Sequence, residues 1–306
     1  MPQVFRFSAY GGPDTQELVE LPVPQPGPSE LLVRVRSAGV NPVDVKLRQG
    51  VLQAFMPRDL PAEFGSEVSG VVEAVGQDVE GFAVGDEVFG SPAPEHGAFS
   101  EYTVTTATAT AKKPTHLSFD DAATLVVAAA TAFDGITQLG LAPGQTLLVN
   151  GIGGGVGVAA AQIARDAGLA VIGTGSEGKR ALAEQLGATL VPYGDGVEQR
   201  VRELLPDGVD GVLDLVGGNA LRDVAPLAKI PAKLVSAADP TTVTELGGAV
   251  VERDRTARVL DEVARLVADG KLDPHVRTVL PLDEAAQALA SVESGHALGK
   301  VVIRVS

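Results

Sequence analysis

At 306 residues and 45% hydrophobic composition, the chain has material for more than one core, and at roughly 100–200 residues per domain two domains are expected. A formal net charge of −15 argues against nucleic acid and anionic membrane as partners. With no cysteine, disulfides, thiolate nucleophiles and cysteine-ligated zinc are excluded. No run of ~18 uncharged apolar residues is present, so no membrane span is expected. The opening MPQVFRFSAYGGPD lacks a basic segment followed by an apolar one, so the expected location is the cytoplasm.

The first third reads as short strands. QVFRFSAY, QELVEL, ELLVRVRSAGV, VSGVVEAVG, DEVFGS and AFSEYTVT are rich in β-branched and aromatic residues and are separated by breakers such as GGPD and LPVPQPGPSE. The pattern predicts a compact, barrel-like β domain. Near residue 118 the character changes. Ser118, Asp120 and Asp121 mark a helix start before AATLVVAAATAFDGITQLG, which closes at Gly140. Strands and helices then alternate through TLLVN, VGVAAAQIARDAG, AVIGTG, EGKRALAEQLG, TLVPY, VDGVLDLVGG, a helix around Leu221 to Leu227, and AKLVSAA. Alternation of this kind predicts an α/β, doubly wound parallel sheet of the Rossmann type. ERDRTARVLDEVARLVADG is an amphipathic helix, and HVRTVLPL, DEAAQALASVESG and GKVVIRV follow as strand, helix and strand that return to the first domain. The expected division is a β domain from residues 1–118 and 260–306 around a nucleotide-binding domain of residues 119–259.

In LLVNGIGGGVGVAAAQIA, Gly151, Gly153, Gly154, Gly155 and Gly157, with Val156 among them, lie where a strand turns into a helix. Backbone N–H groups at such a helix start point at an anion, and absent side chains let a pyrophosphate approach. The competing reading is a tight strand–helix turn, which the surrounding βαβ pattern disfavours. The end of the next strand selects the cofactor. Where NAD sites carry an acid for the ribose 2′-hydroxyl, this chain has Gly175, followed by Ser176, Glu177, Lys179 and Arg180. A hydroxyl and two cations suit a 2′-phosphate, so NADPH is expected. The alternative for Lys179 and Arg180 is a solvated first helical turn. Val216 and Ala237 end parallel strands, at the edge where open α/β sheets bind ligands.

AGVNPVDVKLRQG, FGSEVSGVVEAVGQDVEGFAVGDEVFG, the glycine turn, VDGVLDLVGG, ADGKLDPHVRTVLPLDEAAQAL and GKVVIRV together resemble the medium-chain dehydrogenase/reductase superfamily, in its zinc-free quinone oxidoreductase (zeta-crystallin-like) branch. The resemblance implies a discontinuous GroES-like β-barrel domain, NADPH-dependent reduction of quinones or α,β-unsaturated carbonyls, and a homodimer. Zinc-containing relatives have cysteine where Asn41 stands and histidine where Ser66 stands, and His96, His116, His275 and His296 show no ligand spacing, so no metal is expected. Asn41, Asp44 and Lys46 are the candidate catalytic residues. Many members of the branch carry tyrosine at the position of Lys46. Asn41 could donate to a developing oxyanion, or cap the helix begun by Pro42 with Asp44 in its first turn. Thr131 and Tyr193 match positions near the cofactor in relatives; their alternatives are an ordinary helix residue and a packing aromatic. Competing functions are an enoyl reductase of a polyketide or acyl pathway and a non-catalytic NADPH-binding protein.

Overall fold

The computed structural model describes residues 1–295, 297 and 299–305. Its strands are β1 (Gln3–Phe7), β2 (Gln16–Glu20), β3 (Glu30–Val40), β4 (Ala62–Glu63), β5 (Val68–Val75), β6 (Glu87–Pro92), β7 (Tyr102–Lys112), β8 (Thr146–Asn150), β9 (Ala170–Gly175), β10 (Thr189–Pro192), β11 (Gly211–Asp214), β12 (Leu234–Ser236), β13 (Ala249–Val250), β14 (Val276–Pro281) and β15 (Lys300–Arg304). The helices that matter to function are α1 (Pro42–Arg48), α2 (Phe119–Thr124), α3 (Ala130–Leu139) and α4 (Gly155–Asp166). The chain divides into two units. One comprises Met1–Val127, Arg255–Ala268 and His275–Ser306; the other comprises Ala128–Asp254 and Asp269–Pro274.

The first unit is organised by β3. Leu31–Ala38 pair with β5 along one edge, while the other edge is shared: Glu30–Arg34 pair with β7, and Ser37–Val40 pair with β15. Because β3 bonds to both β5 and β7, the four strands β3, β5, β6 and β7 close into a ring. Leu31, Val33, Val72 and Val88 share one buried cluster of this unit, with Val33 on β3 opposite Val72 on β5. A larger cluster joins Phe5, Phe7, Phe64 and Phe99 to Leu282, Leu289, Val301 and Ile303. The C-terminal segment thus returns to the β domain as the sequence indicated, with β15 antiparallel to β3 through Val301–Val40 and Ile303–Ala38. The amphipathic helix is shorter than its sequence pattern, Ala257–Ala268, and buries Val259, Leu260, Val263 and Ala264.

The second unit holds a parallel sheet in the order β10-β9-β8-β11-β12-β13. Numbered within the unit this is 3-2-1-4-5-6, the doubly wound order, in which ligands bind beyond the carboxyl ends of the strands where the order reverses. TLLVN reads as a nearly continuous apolar run because Leu147, Leu148 and Val149 are all fully buried, as expected of a strand covered on both faces.

The helical stretch 119–139 is interrupted. A π-helical turn, Leu125–Ala129, separates α2 from α3, and Gly140 closes the stretch in the left-handed conformation. Phe119–Leu139 is long and apolar enough to cross a bilayer by composition alone, which the sequence reading did not anticipate, but 78% of its most apolar window is buried inside the protein. That burial marks a core helix.

Candidate functional site

In the second unit, β8 runs into the glycine turn and α4 starts at Gly155 with Gly154 as its N-cap. Each glycine answers to a different constraint. Gly151 has φ +95, a conformation L side chains rarely adopt. A Cβ on Gly157 would overlap the Gly151 carbonyl and lie 2.6 Å from Ile152 Cα, so this position lets the helix pack on the turn. A Cβ on Gly154 would meet only Gly151 O, at 3.9 Å, so that side of the turn is open. The N–H groups of Gly155, Val156 and Gly157 occupy the first helical turn, where no intrahelical acceptor exists and the helix dipole favours an anion. The cradle fits a pyrophosphate.

The end of β9 fits a 2′-phosphate. Gly175 and Ser176 are half-buried, and no acid stands at the strand end. Lys179 lays its stem across the turn: a Cβ on Gly153 would sit 2.7 Å from Lys179 Cδ. Partial burial pulls the Lys179 ammonium below its ordinary range. Arg180 has a different engagement. It grips Glu177 with Nε at 2.5 Å and Nη2 at 2.9 Å, which lowers the Glu177 carboxyl and explains how that acid is tolerated here. Tyr193 is 63% exposed and donates its backbone N–H to Gly175 O, which brings it to the same strand end.

A buried polar ladder underlies these loops and was not foreseen. Gly151 N–H donates to Thr174 Oγ1 (3.1 Å), Thr174 Oγ1 to Asn150 Oδ1 (2.5 Å), and Asn150 Nδ2 to Asp214 Oδ1 (2.7 Å). Ser236 Oγ donates to Asp214 Oδ2 (2.6 Å) and accepts from the N–H groups of Ala238 and Asp239 (3.1 Å each). Val216 and Gly217 also donate to Asp214. The N–H groups of Thr242 and Gly218 hold the Asp239 carboxyl down to about 2. Val216 and Ala237, both exposed, sit on the two loops this ladder supports. Thr131, in α3, is buried and accepts from Arg253 Nη1 at 2.6 Å, while Arg253 Nε reaches Asp134 at 2.9 Å. Burial raises the Asp134 carboxyl against the lowering effect of Arg253.

In the first unit, Asn41 is the N-cap residue of α1, as its sequence suggested, and forms a capping box with Asp44. Asp44 supplies the reciprocal bond of that box, accepting from Asn41 N–H at 2.8 Å. Its other oxygen accepts from Ser66 Oγ at 2.6 Å. Burial, aided by the nearby charge of Glu67, raises the Asp44 carboxyl to about 6 in spite of those bonds and of Lys300. The Asn41 amide is engaged. Nδ2 donates to Glu67 Oε1 (2.8 Å) and weakly to Gly39 O (3.4 Å), and Oδ1 accepts from Lys300 Nζ (2.6 Å). Lys300 closes the set with a 2.7 Å ion pair to Glu67, whose second oxygen takes the N–H of Val127 in the π-helical turn (2.7 Å). A Cβ on Gly39 would overlap Glu67 Oε1 and press on Ala123 O at 2.6 Å, so this buried pair depends on a bare residue there. Lys46 is half-exposed and lies outside this network. Glu67 and Lys300 were missed in the sequence because 233 residues separate them.

Among the described residues no group of three or more His, Asp or Glu side chains is placed to hold a metal ion. His296 falls outside the described residues.

A family profile described as "Alcohol dehydrogenase GroES-like domain" matches residues 27–115, and one described as "Zinc-binding dehydrogenase" matches residues 186–303. The chain is 32% identical to an Arabidopsis thaliana NADPH-dependent alkenal/one oxidoreductase, chloroplastic, over 97% of this chain and 78% of that protein. The structure of a Coxiella burnetii quinone oxidoreductase superposes with TM-score 0.91 at 28% identity, covering 100% of this chain and 99% of that one. That of a mycobacterial protein (Rv1454c) complexed with NADPH superposes with TM-score 0.88 at 28% identity, covering 99% and 100%.

Proposed function

The chain belongs to the zinc-independent medium-chain dehydrogenase/reductase superfamily, in its quinone-oxidoreductase (zeta-crystallin-like) branch, and from that membership we propose that it reduces quinones or α,β-unsaturated carbonyl compounds with NADPH. The coarser assignment, an NADPH-binding oxidoreductase related to such enzymes, stands on the family and on the glycine turn and acid-free strand end. The observation that carries the finer one is the set of buried Asn41, Asp44, Glu67 and Lys300 with half-buried Ser66, an amide, carboxyls, an amine and a hydroxyl bonded to one another. Such a set suits an acceptor already activated by conjugation.

Bound NADPH supplies the hydride. At an enone the hydride adds to the β-carbon, the π-electron pair moves to the carbonyl oxygen, and the α-carbon then takes a proton. At a quinone the hydride and one proton together yield the hydroquinone, the two electrons of the hydride reducing the ring. The chain's own residues hold the proton and meet the charge. Asp44, with a carboxyl at about 6, is exchangeable near neutrality, and Ser66 on its Oδ1 is half-buried, so the pair can pass a proton from Ser66 Oγ with Asp44 replacing it. If Asn41 receives an oxyanion, the weak 3.4 Å bond to Gly39 O is the one a substrate oxygen would replace.

NADPH consumption against a quinone, a short enone and a 2-enoyl thioester tests this reading. Turnover with the quinone or the enone supports it. Turnover with the thioester alone would make the protein an enoyl reductase, and saturable NADPH binding without any turnover would make it a binding protein.

A further inference from the structure

The ladder beneath the carboxyl ends of β9, β8, β11 and β12 has a direction. From one side, Gly151 N–H, Thr174 O–H and Asn150 N–H each donate toward Asp214 Oδ1. From the other, Ala238 N–H and Asp239 N–H donate to Ser236, whose O–H donates to Asp214 Oδ2. Val216 and Gly217 add their backbone N–H groups to the same carboxylate. Asn150, Thr174, Asp214 and Ser236 are at most 2% exposed, so these bonds have no competition from water. A doubly wound sheet is built from two mononucleotide-binding halves, the first carrying the glycine turn and the adenosine-ribose selector. Here β8 and β9 form that half, and β11 and β12 begin the other. One carboxylate therefore receives hydrogen bonds originating in the loops of both.

We propose that Asp214 is a positioning residue that fixes both halves of the NADPH site at once, through Thr174 to the pyrophosphate turn and through Ser236 to the loops at 215–217 and 237–239. The proposal rests on the NADPH assignment. An amide at position 214 would turn an N–H toward donors that all point inward, so the direction of the ladder, and not only its packing, is at stake.

The test is calorimetric titration of NADPH and of 2′-phospho-ADP-ribose, a fragment without nicotinamide, into wild-type protein and into Thr174→Val, Ser236→Ala and Asp214→Asn. Thr174→Val should weaken both ligands by about three- to tenfold, because the pyrophosphate turn loses an acceptor. Ser236→Ala should weaken NADPH by a similar factor and leave the fragment unchanged, because only the second half is loosened. Asp214→Asn should weaken NADPH more than either; if it does not fold, the first two variants still decide the matter. Thr174→Ser, which keeps the hydroxyl, should restore wild-type affinity. A loss of the fragment in Ser236→Ala as large as that of NADPH, or no loss of either ligand in Thr174→Val and Ser236→Ala, would overturn the proposal and leave NADPH binding intact. Failure of wild-type protein to bind NADPH would overturn the cofactor assignment and the proposal with it.

Discussion

Lys300→Met should cost the first unit more than any single substitution on its surface. Lys300 and Glu67 are 4% and 0% exposed and 2.7 Å apart, so removing the ammonium strands a carboxylate in the interior. Asn41 Nδ2 and Val127 N–H would remain on it, two neutral donors in place of a charge. Breaking a buried pair from one side costs about 3–5 kcal/mol, largely because the surviving charge is uncompensated. At about 2–4 °C per kcal/mol for a unit of this size, the unfolding midpoint should fall by roughly 6–20 °C. Removing both charges relieves that burden, so Glu67→Gln/Lys300→Met should be more stable than Lys300→Met by about 2 kcal/mol or more. Urea unfolding followed by circular dichroism measures all three differences. A loss below about 1 kcal/mol for Lys300→Met, or strict additivity in the double variant, would refute the argument that the pair is an interdependent buried unit.

Three further outcomes follow from the same geometry. The Asp44 carboxyl is raised to about 6, so its ionisation opposes folding: its contribution is fully retained below the unfolded value near 4 and is lost as pH rises through about 6. Asp44→Asn should therefore gain on wild type by about 3 kcal/mol between about pH 4 and about pH 7, and a pH-independent difference in urea unfolding would contradict this. Lys179→Ala should raise the KM for NADPH about tenfold and spare NADH, since charge-assisted hydrogen bonds are worth about 1.5–3 kcal/mol; equal loss for both cofactors would show that Lys179 reads no phosphate. Gly154→Ala adds a methyl to open space at φ −85, so stability should hold while NADPH affinity falls about tenfold or more, and unchanged affinity by titration would place the pyrophosphate elsewhere.

Much of this was legible because it is local. The strand–glycine–helix run, the acid-free strand end and the closing Gly140 each lie within one stretch of chain. The distant pairings were not. Each parallel strand of the ladder carries a polar group at or next to its last residue (Asn150 in TLLVN, Thr174 in AVIGTG, Asp214 in GVLD, Ser236 in LVS), and the regularity was visible, but nothing in one sequence says that the four meet. The same holds for Glu67 and Lys300. Asn41 was read as either a cap or a donor; what decided its surroundings was a lysine on β15 and a carboxylate ahead of β5. Lys179 and Arg180 were equivalent as letters, and the i,i+3 grip of Arg180 on Glu177 separates them.

Conjugate reduction differs from carbonyl reduction in where the hydride lands. NADPH carrying deuterium at the transferable position of its nicotinamide, turned over with a short enone and analysed by NMR of the product, reads that directly. Conjugate reduction gives a saturated ketone with one deuterium on the β-carbon and a solvent-derived proton on the α-carbon. An allylic alcohol with deuterium on the carbonyl carbon would contradict it.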